Sequence, residues 1–221
     1  MPCAQCVGIE RRFDRKMARR QLRRYRKRGP SKTTRRLLAS IVEVGAKGRS
    51  FLDIGGGVGA LQHGLMKAGA TGGTASEVSV AYLEAARDEA TAQGHADLIV
   101  YVDGDFVEIQ DRVEPADIVT LDRVICCYHD MPALVDASAS RALRVYGLVY
   151  PRDTRLMRVA IGLVNLLHWL RRHPFRAYVH PTEAVEARIE EHGLTHAWRS
   201  STLLWQIAVF SRPHPPPTNG R

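Results

Sequence analysis

Asp53, Gly55, Gly57 and Gly59 sit close together in the stretch FLDIGGGVGA, residues 51–60. A short apolar run there meets a knot of glycines and then a segment of helical character. This is the pattern of a buried strand, a turn from which side chains are excluded, and a helix N-terminus. Open backbone N–H groups and the positive end of a helix together cradle a nucleotide-like ligand. Asp53 places a carboxylate at the carboxyl end of the strand, where it would repel a pyrophosphate but can hold an ammonium group. Gly55-x-Gly57-x-x-Ala60 also satisfies the dinucleotide fingerprint, with Glu77 suitably spaced for a ribose. On the glycines alone, an NADP-dependent oxidoreductase is therefore a competing reading.

A second cluster follows the apolar run IVTLDRV. The loop DRVICCYHDMP gathers Asp122, Arg123, Cys126, Cys127, Tyr128, His129 and Asp130. In open α/β sheets the ligand lies beyond the carboxyl ends of the strands, so this loop should face a substrate. Cys126 and Cys127 can equally be small apolar residues packed near a strand end. With Cys3-x-x-Cys6 they make up the four cysteines. Vicinal cysteines chelate one metal poorly, and a second well-spaced pair is missing, so no metal site is expected and reduced thiols are.

The elements that must hold these residues can be read in order. Ile9, Phe13, Met17, Leu22 and Tyr25 lie at near-helical spacing among arginines, giving one amphipathic basic helix over residues 9–28 that Gly29-Pro30 stops. Ser31 then caps a second helix. Phe51–Ile54 is the first core strand, residues 71–78 a weak second strand ending in Glu77, and LIVYV, residues 98–102, a third that runs out at Asp103-Gly104-Asp105-Phe106. VYGLVYP is a fifth strand. The helix after it, RLMRVAIGLVNLLHWLRRHPF, is apolar over so much of its surface that more than one side should be buried. It is too short to span a bilayer, and it could line an apolar pocket, rest on a membrane or pack in a homodimer. LTHAWRSS and TLLWQIAVFSR close the chain as two strands.

At 221 residues the chain is long enough for one sizeable α/β domain. The net charge of +9 is not spread evenly. Residues 1–36 carry 14 Lys and Arg against 2 acids, which leaves 18 basic residues against 21 acids for the rest. The basic character is thus confined to an N-terminal arm, which could meet nucleic acid, anionic lipid or an acidic substrate. No apolar secretory segment opens the chain, so a cytoplasmic location is expected.

Asp53-x-Gly55-x-Gly57-x-Gly59, the acid Glu77 ending the second strand, and Gly104-Asp105 ending the third together resemble the class I S-adenosylmethionine-dependent methyltransferases. The resemblance covers roughly residues 50–150. It implies a Rossmann-like seven-stranded sheet with helices on both faces and an antiparallel last strand, and S-adenosylmethionine as cofactor. The expected organisation is a basic helical N-terminal extension over 1–45, able to act as a lid, a methyltransferase domain over 46–212 and a disordered tail over 213–221. By the same resemblance Asp53, Gly55, Gly57 and Gly59 bind the cofactor and Glu77 accepts the ribose hydroxyls. Asp105 accepts from the adenine amino group, Phe106 lies against the ring, and Asp122 belongs to the same set.

Methyl transfer from a sulfonium is a displacement in which the protein chiefly positions and desolvates the reactants. A base is needed only where the acceptor holds a proton of high pKa. His129 is the candidate base, with Tyr128 and Asp130 as orienting groups. No Asn/Asp-Pro-Pro-Tyr/Phe stretch follows the fourth strand, which disfavours exocyclic amines of DNA bases and glutamine amides. The apolar helix and the ending LLWQIAVFSRP are similar to magnesium-protoporphyrin methyltransferases, and FDRKMARRQLRRYRKRGPSKTTRRLL, LDIGGGVGALQHGL, LDRVICCYHDM and YGLVYPRDT to bacterial proteins called only methyltransferases. A small hydrophobic or aromatic acceptor, methylated on oxygen or sulfur, is the favoured expectation. The alternatives are an RNA methyltransferase or RNA-binding protein using the basic arm, and arsenic or thiol methylation through the cysteines.

Overall fold

The structure, a computed structural model, describes residues 4–213, with side chains from Val7 onward. Cys3, the side chain of Cys6 and residues 214–221 of the expected tail lie outside the described residues.

The basic stretch is two helices, not one. α1, Ala4–Arg12, stops short of Asp14, whose carboxylate accepts the Met17 N–H at 2.8 Å and so caps α2, Arg15–Arg28. An aspartate competes for backbone N–H groups and is better placed at a cap than inside a helix, so the break falls there. Gly29, at φ 69°, closes α2, and Ser31 caps α3, Lys32–Gly45.

β1 (Ser50–Ile54), α4 (Ala60–Lys67), β2 (Gly72–Glu77), α5 (Val80–Ala92), β3 (Ile99–Asp103) and the single turn α6 (Phe106–Ile109) form the first half of the domain. β4 (Ala116–Asp122), α7 (Met131–Ala139), β5 (Ala142–Pro151), α8 (Arg155–Leu170), α9 (Thr182–Glu191), β6 (Thr195–Ser201) and β7 (Trp205–Ser211) complete it. The strands make one 7-stranded sheet in the order β3-β2-β1-β4-β5-β7-β6. β1 to β5 pair in parallel, and β7 runs antiparallel to both β5 and β6. The chain reverses its winding between β1 and β4, which opens a crevice at their carboxyl ends.

Alternate strand residues feed two cores, one on each face of the sheet. Leu52, Ile54, Val119, Leu121 and Tyr146 pack with Val135 of α7 and Val185 and Ile189 of α9. Phe51, Ile118 and Val145 pack on the other face with Leu61 and Leu65 of α4 and with Leu37 and Ile41 of α3. α3 is therefore part of this core and not of a separable arm. Leu37 and Ile41 are wholly buried, and a methyl group on Gly147 of β5 would lie 2.9 Å from each. The arm proper is α1 and α2.

α8 departs most from expectation. Of its residues only Met157 is buried, and its outward face is apolar and exposed.

Candidate functional site

The glycine turn is shaped from both sides. Gly59 has φ 77°, and a Cβ there would lie 2.7 Å from the His63 ring, so the helix start needs glycine for conformation and for space. Gly55 N–H donates to the Ser76 carbonyl at 2.7 Å and Gly57 N–H to Glu77 Oε2 at 3.2 Å, tying the turn to β2.

Asp53 lies beneath this turn, not in front of it. It is 0% exposed, accepts the Thr120 hydroxyl at 2.6 Å on Oδ1 and the Gln62 amide at 3.0 Å on Oδ2. Burial pushes its carboxyl up to about 7, with the charges of Asp122 and Glu77 adding and the two hydrogen bonds opposing. The carboxylate expected to hold an ammonium group is thus engaged in bracing the turn.

Glu77, at the carboxyl end of β2, points both oxygens along the crevice rim. Oε2 accepts from Gly57 N–H and Oε1 from Ser79 N–H, each at 3.2 Å. Burial raises its pKa and these N–H bonds lower it. Around the same turn Gln62 Oε1, Ser76 Oγ and Tyr82 OH are buried with no hydrogen-bond partner among the described residues. Buried polar atoms are normally paired, so three orphans gathered at one glycine turn fit a polar ligand that completes them. The residues present therefore suit an adenosyl cofactor.

Asp105 caps α6 through Val107 N–H at 3.1 Å and accepts the Tyr128 hydroxyl at 3.0 and 2.9 Å. Phe106 is buried in the core beside it. The structure thus joins Tyr128 to the expected adenine residue across the crevice. Asp122 accepts the Thr34 hydroxyl at 2.5 Å and the Arg123 Nε–H at 2.9 Å, which ties the start of α3 to the end of β4. Arg123 itself has φ 65°, a strained conformation for a non-glycine residue and one common at functional turns.

The three residues expected to act together diverge. Tyr128 faces Asp105, Asp130 accepts Ala133 N–H at 3.0 Å as the cap of α7, and His129 is exposed with its ring 5.3 Å from that of Tyr128. Cys126 and Cys127 have their sulfurs 3.9 Å apart. The Cys127 thiol, then burial, hold the Cys126 thiol well above its usual pKa, which disfavours a thiolate nucleophile. No cluster of His, Cys, Asp and Glu suited to a metal occurs among the described residues.

Two residues that sequence reasoning missed complete this loop. Tyr178 N–H donates to the Cys126 carbonyl at 2.8 Å, and His180 Nε2–H donates to the carbonyls of Ile125 at 2.9 Å and Tyr128 at 3.1 Å. Carbonyls only accept, so His180 carries its proton on Nε2, and burial lowers its pKa. They stand far along the chain from the loop they hold, in a stretch with no motif, and local spacing carried no signal for them.

The arm closes the other side. Phe13 packs edge-on against Tyr82 at 5.9 Å and against Phe175 at 5.8 Å, and its carbonyl accepts the Ser79 hydroxyl at 2.7 Å. A cleft of about 250 Å³ remains between Glu10–Asp14 and Ser79–Ala81. Tyr25 of α2 packs on His63 at 5.7 Å. His63 Nε2–H donates to the Val58 carbonyl at 3.1 Å, and its Nδ1 accepts from His95 at 2.9 Å.

Burial drives the His63 pKa from 6.5 down to about 4. A histidine held neutral in the fold and protonated when unfolded leaves stability intact above its unfolded pKa and erodes it as pH falls toward the folded one. Between neutral pH and about 5 the His63→Gln variant should lose ~2 kcal/mol less stability than the wild type in denaturant unfolding, the difference between the two cancelling the opposite contribution of the raised Asp53 carboxyl.

Residues 52–150 match the family model described as a methyltransferase domain. No curated protein matches the sequence. Among solved structures, the fold is similar to magnesium protoporphyrin IX methyltransferase from Synechocystis PCC 6803 with bound S-adenosylhomocysteine. That match has 22% identity, covers 82% of each chain and has a TM-score of 0.66. A protein provisionally titled an RNA methyltransferase from Pyrococcus horikoshii matches at 17% identity over 88% of this chain and 86% of its own, with a TM-score of 0.59. An O-methyltransferase family protein from Burkholderia thailandensis matches at 15% over 81% of this chain and 56% of its own, with a TM-score of 0.63. The glycine turn above Asp53, the acid ending β2 and the sheet order accord with a methyltransferase domain over residues 52–150 and with the fold of the structure that holds S-adenosylhomocysteine.

Proposed function

We propose that the protein methylates a small hydrophobic or aromatic molecule on oxygen or sulfur. The observation that carries this reading is the roof over the crevice. Phe13 packs over the start of α5, Thr34 bonds to Asp122, and His180 and Tyr178 bond to the loop after β4. A site enclosed by the arm on one side and by residues 173–180 on the other suits a compact acceptor better than a nucleic-acid strand.

S-adenosylmethionine supplies an electrophilic methyl group on a sulfonium that is already a good leaving group. The turn at residues 55–59 receives its polar end and Glu77 its ribose hydroxyls. Asp105 receives the adenine edge with Tyr128 bonded behind it, so Tyr128 belongs with the cofactor and not with a base. His129, exposed at the mouth of the loop, accepts the proton of an acceptor hydroxyl. The roof narrows the approach to the reacting centre and leaves His129 at its open mouth.

The test is to incubate the protein with S-adenosylmethionine and panels of phenols, carboxylic acids and thiols, reading products by mass. A product gaining one methyl group supports the reading, and methylation of RNA alone overturns it. With an acceptor found, His129→Ala should lower kcat on a hydroxyl acceptor by about 100-fold while cofactor affinity is unchanged. An unaltered kcat would assign the base elsewhere.

The basic arm supports a second reading, an RNA substrate. α2 presents 9 Lys and Arg, all exposed, of which Arg15 and Arg26 pair with Glu84 and Glu89. Steep salt dependence of RNA binding that disappears on deleting residues 1–30 would favour it.

A further inference from the structure

α8 is built inside out for a helix on a protein surface. Met157, Ile161, Asn165 and His168 form one stripe at helical spacing, and it faces the protein: Met157 is buried, and the Asn165 amide bonds to both the N–H and the carbonyl of Ala177 at 2.9 and 2.8 Å. The opposite arc is apolar. Leu163 is 62% exposed, Leu166 50%, Leu167 48%, Trp169 64% and Leu170 64%. A surface helix ordinarily turns this arc inward and its polar residues outward, and exposed apolar patches of this kind mark interaction sites.

The patch continues past the helix. Arg152 N–H donates to the Leu204 carbonyl at 2.9 Å, so the β6–β7 turn lies beside the start of α8. In that turn Leu203 is 75% and Leu204 41% exposed.

Charge identifies the occupant. Residues 159–170 carry no charged side chain, while Arg152, Arg155, Arg171, Arg172 and Arg176 flank them, with Arg158 paired to the single acid, Asp153, at 2.6 Å. Near the far end of α8, Phe175 packs on Phe13, where the cationic α2 begins. In a twofold dimer the same patch meets itself, so each arginine rim would face its own copy. A sheet of anionic headgroups over an acyl layer complements both parts of the face: hydrocarbon takes the leucines, headgroup phosphates take the arginines, and Trp169 beside Arg171 sits at the boundary where tryptophan is favoured. No helix among the described residues is long and apolar enough to cross a membrane, so the contact is with its surface.

We propose that the protein docks on anionic membranes through the outward face of α8, with Leu163, Leu166, Leu167 and Leu170 entering the acyl boundary and the flanking arginines meeting headgroups. This docking is independent of which acceptor is methylated.

The test is flotation of the full chain with vesicles of phosphatidylcholine alone and of phosphatidylcholine mixed with phosphatidylserine. The wild type should float with the mixed vesicles and only weakly with phosphatidylcholine, and salt should reduce it. Leu163→Glu with Leu167→Glu should cut the bound fraction at least about tenfold, since both apolar contact and charge turn unfavourable. Arg171→Glu with Arg172→Glu should abolish the preference for phosphatidylserine. Both variants should keep wild-type affinity for S-adenosylhomocysteine, which shows that the fold is intact. Flotation unaffected by the glutamates would mean that the basic arm alone binds, and it overturns the proposal. A wild type that fails to float, or one that is a dimer by light scattering and becomes monomeric with the glutamates, overturns it in favour of a second copy.

Discussion

In the Glu77→Ala variant, affinity for S-adenosylhomocysteine should fall by about a hundredfold or more. The carboxylate at the end of β2 does two jobs at once. Through Oε2 it holds the Gly57 N–H at 3.2 Å, and through Oε1 the Ser79 N–H at 3.2 Å, which sets the glycine turn and the start of α5 at a fixed separation. Each oxygen keeps a lone pair for a ribose hydroxyl. A hydrogen bond to a charged group contributes ~1.5–3 kcal/mol, so losing two costs at least ~3 kcal/mol, or about a hundredfold. Calorimetric titration measures it directly. Glu77→Gln retains one acceptor in the same shape and should fall about midway, roughly tenfold. If the alanine variant bound like the wild type, Glu77 would be a brace for the turn only, and the ribose would have to meet another residue.

Gly56→Ala should be among the most damaging single methyl groups in the domain. A Cβ at this position would lie 2.0 Å from Asp53 Oδ2 and 2.7 Å from Gln62 Nε2. Those atoms cannot yield cheaply, because Asp53 is 0% exposed and held by Thr120 and Gln62. Moving the carboxylate breaks buried hydrogen bonds, and moving the turn lifts Gly57 from Glu77. Overpacking of this kind costs ~1–3 kcal/mol before the buried pairs are counted, so unfolding by denaturant should show a loss of ~3 kcal/mol or more together with loss of cofactor binding. Gly162→Ala is the contrasting substitution. Nothing lies within 4 Å of its Cβ and the site is an exposed helix position, so it should be neutral or slightly stabilising. A Gly56→Ala protein of normal stability that bound cofactor would show that the turn tolerates a displaced Asp53.

These effects also mark the limit of motif reading. The glycines at 55, 57 and 59 were visible because the ligand-facing side of such a turn has a spacing. Gly56 was not, since its requirement comes from Asp53 folding back beneath the turn onto Thr120 of β4, a contact 67 residues long in sequence. His180 and Tyr178 were invisible for the same reason. Conversely, Tyr128, His129 and Asp130 stood adjacent in sequence and invited a joint role, but three consecutive residues around a 3₁₀ turn and a helix cap cannot all point one way, and their partners are Asp105, solvent and Ala133 N–H.

The resemblance carried the class of the sheet and its antiparallel close, and sequence by itself determined the glycine turn, the acid that ends β2 and the concentration of net basic charge in the first residues. Each of these last three follows from local physics: glycine content, strand-end acids and charge counts are properties of a few neighbouring residues. Tertiary structure alone decided that Asp53 braces the turn from below, that α3 belongs to the core while α1 and α2 form the arm, that Tyr128 partners Asp105, and that α8 presents its leucines outward. An apolar helix has the same pattern whether its face meets a core or is left open. Which happens depends on what the rest of the chain has left beside it, and here Asn165 and His168 take the inner side.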